Sequence, residues 1–430
     1  MAPSRARTGL KSHEIVPASG TPAALPSRER VGPDRGSTRP TERPSHRRPT
    51  RHRTPEEPAM TTDTTTLVPP AESTTPTPAP TPTPSPQRRR FEATLTGGTP
   101  DRVPVTAWQH HIPAESDVEA LADRVAADTA RFGWDWIKIN PRATYLPEAF
   151  GNTYDLARYT GVLPARTRTL VRTPADLDLV TDAADAAVLA DHVRLVALLR
   201  ERVGDLPLLP TVFSPLSVLL ELTGTPSYVS ALQPGDARPT EVLAGLLAER
   251  PTAVHAALRA ITDTLVTYLG RTREAGADGV FFAVTGTAHR DVASPQQFSE
   301  LSTPYDDEVL ASVQGWRVVH TCGPWAHPEW LDRPGVHAVH WDQTAPGNPT
   351  LAEAGRTLRA TGVGGVAHLA AGDGEVATVR DQARAALEGA GRAFLLAPSC
   401  SVPPSVPDAV YAALRDAVGH EEGAEAAETR

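Results

Sequence analysis

The chain has 430 residues, with 42 Lys/Arg against 51 Asp/Glu and only two cysteines. Residues 1–59 hold 12 of the basic residues and 6 of the acidic ones, so the remainder is more acidic than the overall −9, and nucleic acid is excluded as the expected partner. No apolar run approaches the roughly 20 residues that span a bilayer, no charged segment leads into an apolar secretory core, and two cysteines cannot staple a secreted scaffold, so a cytoplasmic protein without membrane contact is expected.

Residues 1–88 are rich in Pro, Arg, Ser and Thr and finish in a Pro-Thr repeat from Thr75 to Pro86. They lack the apolar surface that offsets ordering entropy and are expected to form a disordered arm. Met60 is the second of the chain's two methionines, so residues 1–59 are either the product of a start codon assigned too early or a genuine basic tail. From residue 89 to 420 short apolar runs alternate with longer amphipathic stretches. The runs at 103–108, 136–140, 207–213, 279–284, 316–321, 337–341, 362–366 and 393–397 predict strands. Helical periodicity covers 118–131, 253–275, 295–313, 375–389 and 407–420. Strands alternating with helices predict a parallel sheet, and eight such units predict an α/β protein of the (β/α)8 TIM-barrel type, with its longest insertion at 154–205. Residues 421–430 are expected to be a frayed acidic tail.

Strand phase then selects the inward residues, because side chains two apart share a face. In Trp136-Ile137-Lys138-Ile139-Asn140 the isoleucines share one face, which puts Trp136, Lys138 and Asn140 on the other, toward the barrel interior. By the same alternation Thr106, Trp108 and His110 oppose Val105, Ala107 and Gln109, and His340 and Asp342 oppose Val339 and Trp341. These polar positions fall near carboxyl ends of strands, where a barrel keeps its chemistry.

His320 and Cys322 project side by side at the end of one predicted strand, and Cys400 follows the last. One imidazole and two thiolates suit a zinc ion with one position left open, as in catalytic zinc sites; a Cys322–Cys400 disulfide is the alternative. Lys138, the only lysine after Lys11, either anchors a substrate carboxylate or phosphate or pairs with a carboxylate such as Asp342. Asp342 is expected to orient a ligating histidine or line the pocket, with a structural salt bridge as the alternative. His110, His111, Asn140, Arg142, His340 and His368 are candidates for holding substrate. Thr361-Gly362-Val363-Gly364-Gly365 fits neither a P-loop nor a dinucleotide fingerprint, and Ser214-Pro215-Leu216-Ser217 lacks the glycines of a nucleophile elbow.

Together, Arg90-Phe91-Glu92-Ala93-Thr94-Leu95, Asp101-Arg102-Val103-Pro104-Val105, Ser214-Pro215-Leu216, Glu274-Ala275-Gly276-Ala277-Asp278-Gly279, His320-Thr321-Cys322-Gly323, Trp341-Asp342 and the closing Pro404 and Pro407 resemble the uroporphyrinogen decarboxylase superfamily over about residues 88–418. That resemblance implies either a cofactor-free decarboxylase of porphyrin biosynthesis or a zinc-dependent methyltransferase that moves a methyl group from a corrinoid to a thiol. The decarboxylases carry an arginine-rich signature where this chain reads Trp108-Gln109-His110-His111-Ile112-Pro113, and an essential aspartate where it reads Asn140-Pro141-Arg142. His-x-Cys with a distant second cysteine is the methyltransferase pattern, met by His320, Cys322 and Cys400, although Ser399 stands where that pattern has glycine. The resemblance therefore implies zinc as cofactor, a small-molecule thiol as substrate and a corrinoid protein as donor, with a non-catalytic ligand-binding relative as a further alternative. It leaves the oligomeric state open.

Overall fold

The computed structural model describes residues 83–228, 238–390, 393–404 and 406–419. Residues 1–82 of the expected arm and the acidic tail 421–430 lie outside the described residues, and a helix, Pro86–Leu95, occupies the arm's last three positions. Among the described residues no helix is long and apolar enough to cross a membrane.

Seven strands form one curled parallel sheet in the order β1 (Ile137–Ile139), β4 (Leu208–Phe213), β5 (Gly279–Thr285), β6 (Trp316–Thr321), β7 (Ala338–His340), β8 (Thr361–Val366) and β9 (Phe394–Pro398). Two further strands, β2 (Thr153–Thr160) and β3 (Leu163–Arg168), form a separate antiparallel hairpin. The sheet agrees with seven of the eight strand predictions. The eighth, at 103–108, is not a strand: Val105 and Gln109 make isolated parallel bridges to Leu396 and Val402. Its backbone bonds are partly replaced by side chains, with Val105 N–H donating to Asp135 and Thr106 Oγ1 to the Trp136 carbonyl. Pro104 contributes no N–H at all. A seven-stranded half-barrel is what the ladders establish.

The helices follow the apolar periodicity closely. Val118–Phe132 is capped by Asp117, which accepts from the Glu119 and Ala120 amides, and ends at Gly133 in the left-handed region. The helix expected over 295–313 splits into Pro295–Leu301 and Thr303–Ser312, because Pro304 cannot donate to the preceding turn. The 154–205 insertion also holds the hairpin, which sequence periodicity does not predict: both its strands are mostly exposed, with Leu156 and Leu163 among the exposed positions, and leave no core pattern.

The sheet separates two apolar layers. Ile137 and Ile139 pack outward against Leu121, Leu195 and Leu199. Trp136, Leu209, Phe281, Val318, Val363 and Leu395 fill the interior with Trp108, and Phe91 and Leu95 of the Pro86–Leu95 helix join them. Each such buried side chain contributes roughly 1.5–3 kcal/mol. Lys138 accordingly faces the interior, as strand phase predicts, with its Nζ over the Trp108 and Phe281 rings. The glycines of β8 are explained by close packing: a Cβ at Gly364 would lie 2.9 Å from the Trp341 carbonyl oxygen, and one at Gly365 would lie 2.7 Å from Leu396 Cδ1.

Candidate metal centre and substrate cavity

Parallel register places Ala283, His320, His340 and Val363 at one level across β5 to β8. At and just beyond that level His320, Cys322 and Cys400 each bring a ligand atom to within 4.8 Å of the others, the one such group among the described residues. The sulfurs are 3.8 Å apart and both thiols are free, so the disulfide alternative is not formed. Two zinc–sulfur bonds of about 2.3 Å at a tetrahedral angle would separate their sulfurs by about 3.8 Å. Donor type and spacing thus both fit zinc.

Protonation is set from behind the site. His340 is fully buried, and its Nε2 lies 2.9 Å from the Pro398 carbonyl, which can only accept. Burial, and then the neighbouring His320 ring, hold His340 well below the usual histidine range. A neutral His340 with a proton on Nε2 presents an acceptor at Nδ1, 2.8 Å from His320 Nδ1. His320 must then carry its proton on Nδ1, which leaves Nε2 as the free lone pair. The cysteines share a proton: Cys400 is held well below the usual thiol range by donation from Cys322 and then by His320, and Cys322 is raised correspondingly.

The three residues open onto a cavity of about 580 Å³ at the carboxyl ends of the strands. Lys138 lies in its wall, buried, with its Nζ 2.6 Å from Asn140 Oδ1 and over the faces of Trp108 and Phe281 at 5.1 and 4.8 Å. Burial lowers its pKa to about 7, and the charge of Cys400 works in the opposite direction. The hairpin tip, Thr160–Leu163, also lines the cavity.

The other expected site residues divide. His110 and His368 line the cavity, held at Nδ1 by Glu115 and Ser399. Asn140 is also in the wall. His340 lies behind His320, Nδ1 to Nδ1, and is not in the cavity wall. His111 turns away toward Asp128, 3.5 Å distant. Arg142 is committed to Glu148 through contacts of 2.8 and 2.5 Å and does not line the cavity. Asp342 accepts from the amide and hydroxyl of Thr344, so neither the orienting role nor a pairing with Lys138 is formed; its charge still reaches Cys322. Tyr228 was not foreseen: it lines the cavity near both cysteines, but sits in a loop where no periodicity marks it. His340→Phe keeps the ring volume but removes the acceptor for His320. It should weaken zinc binding by about 10–100-fold in a chelator-competition titration, whereas Asp342→Asn should leave it nearly unchanged.

The uroporphyrinogen decarboxylase (URO-D) family model matches residues 112–420. The chain belongs to that family. A methyltransferase from Methanosarcina mazei has a similar structure, with a TM-score of 0.64 and 22% identity over 77% of this chain and 97% of that one. At that identity the likeness shows the fold this URO-D family member shares. A B12-independent methionine synthase from Shewanella sp. W3-18-1, solved in complex with selenomethionine, gives a TM-score of 0.44 and 12% identity over 73% of this chain and 90% of that one. The chain has no match among curated protein sequences.

Proposed function

We propose that this URO-D family member is a zinc-dependent methyltransferase that passes a methyl group from a corrinoid or similar donor to a small-molecule thiol. The observation that carries the reading is the convergence of His320, Cys322 and Cys400 on the wall of a cavity of about 580 Å³. Zinc bound there by those three residues would keep a position for the thiol and, as a Lewis acid, lower its pKa. The chain's own residues prepare that event. His340 keeps the ligating nitrogen of His320 free of its proton. Lys138 offers an ammonium to the substrate's anionic group or to the negative charge gathering near Cys400. Trp108, Phe281 and the hairpin tip exclude water, which strengthens both interactions. The Val103–Gln109 segment, bonded to both β9 and the residues leading into β1, is read as the eighth stave of a (β/α)8 barrel.

The second reading is a decarboxylase of porphyrin biosynthesis. Among the described residues the cavity wall contains no arginine, and its one lysine, Lys138, has its pKa lowered to about 7 by burial. A porphyrinogen bearing several carboxylates would be left largely unpaired there, at a cost that falls on every buried anion. The two readings are separated by calorimetric titration of zinc-loaded protein with thiols in buffers of different ionisation enthalpy. Uptake of a thiol should release about one proton, because the thiol ionises to become a ligand. Thiol uptake without proton release, or none at all together with release of carbon dioxide from uroporphyrinogen, would reverse the choice.

A further inference from the structure

We propose that Thr285 and Ser217 are positioning residues that hold Cys322 in register with Cys400. Among the described residues three that are not glycine have positive φ: Thr285 at 53°, Trp325 at 45° and His327 at 46°. All three border the segment that carries Cys322. Left-handed backbone is least tolerable for a β-branched side chain, so Thr285 holds this conformation only because its surroundings impose it.

Those surroundings can be named. The β5–β6 ladder runs in step from Gly279 opposite Trp316 to Ala283 opposite His320, then slips so that Thr285 pairs with Thr321. Val284 is the extra residue of a bulge, a device that re-aims the groups beyond it. The group re-aimed is the Thr285 carbonyl, which accepts from the Cys322 amide at 2.8 Å. Thr285 Oγ1 lies 2.8 Å from Ser217 Oγ and donates to the Val284 carbonyl at 2.7 Å, while Ser214 Oγ donates to Ser217 Oγ at 2.9 Å. All three hydroxyl residues are buried. Glycine would adopt the same backbone without strain, so the threonine is explained by its hydroxyl, which ties the bulge to the N-terminus of the Pro215–Leu222 helix, capped by Ser214. That helix N-terminus, which lacks the glycines of a nucleophile elbow, acts as the strut against which Cys322 is set.

The test uses Thr285→Gly, which keeps the backbone but drops the hydroxyl, Thr285→Ser, which restores a hydroxyl, and Ser217→Ala. It rests on the metal reading for only one of its two readouts. In chelator-treated full-length protein, phenylarsine oxide bridges two adjacent thiols with loss of water, so its affinity reports how well Cys322 and Cys400 are held together without any metal. In metal-loaded protein, zinc competition and the thiolate-to-cobalt absorption of the Co2+ form report the same geometry. Thr285→Gly and Ser217→Ala should each weaken both the arsenical and zinc by about 10–100-fold, with a shifted cobalt band, and Thr285→Ser should recover most of the loss. A residue of purely structural importance would lower the melting temperature and leave both affinities unmoved; that result overturns the proposal. Should Thr285→Gly fail to fold, Ser217→Ala and Thr285→Ser decide it. If the wild type binds the arsenical but not zinc, and the variants still lose the arsenical, the positioning role stands and the metal reading falls.

Discussion

Replacing Cys322 or Cys400 with serine should leave the purified protein without zinc, against about one zinc per chain in the wild type. Each cysteine is one of only three protein ligands that converge within 4.8 Å, and a hydroxyl is a far poorer ligand for a borderline-soft ion than a thiolate. Loss of even an outer partner of a ligand costs about 10–100-fold in affinity, and loss of a ligand itself should exceed that. Stability follows by mass action: zinc at about 100 times its dissociation constant adds about 2.7 kcal/mol to the wild type. The serine variants should show no such gain. Elemental analysis and thermal melts with and without zinc check both halves, and zinc retained by either variant would remove that cysteine from the site.

Lys138→Met should stabilise chelator-treated protein near neutral pH while weakening substrate binding. The two aromatic faces over the ammonium each return on the order of 1–2 kcal/mol, but burial still drives its pKa from 10.5 to about 7. With the folded value below the unfolded one, the folded state binds fewer protons between about pH 7 and 10.5, so wild-type stability rises with pH across that window. Below about pH 7 the full cost of burying the cation is present, on the order of 5 kcal/mol for a shift of this size. Methionine carries no such cost. The variant's advantage should therefore be greatest at or below neutrality and shrink toward pH 10, as read from urea denaturation at several pH values. A variant less stable than the wild type at pH 6 would mean that the ammonium is matched by a partner charge. A stabilising substitution that harms binding is what a group kept for function predicts.

Much of this arrangement is legible in the sequence, for a definite reason. Parallel strands flanked by helices leave a strong periodic record, and the alternation of Ile137 and Ile139 with Trp136, Lys138 and Asn140 fixed which face of β1 turns inward. The same period-two logic put His320 and Cys322 on one face, and the second cysteine completed the group. What the sequence does not reveal is whatever depends on register between distant strands. His340 lies beside His320 because β6 and β7 align them, whereas Asp342, two residues past the end of β7, accepts from Thr344 instead. Arg142 and His111 each have a carboxylate at hand, Glu148 and Asp128, and no local pattern shows that such a partner is in reach. The bulge at Val284 leaves no mark in composition, nor does the hairpin whose tip lines the cavity.

Zinc held by His320, Cys322 and Cys400 should receive a thiol from this cavity. X-ray absorption at the zinc edge, recorded on the wild-type protein with and without added thiols, tests it most directly. The expected first shell is two sulfurs and one nitrogen with a lighter fourth ligand, and a third sulfur should replace that ligand when a thiol binds. Protein that holds no zinc, or a zinc shell that saturating thiol leaves unchanged, would contradict it.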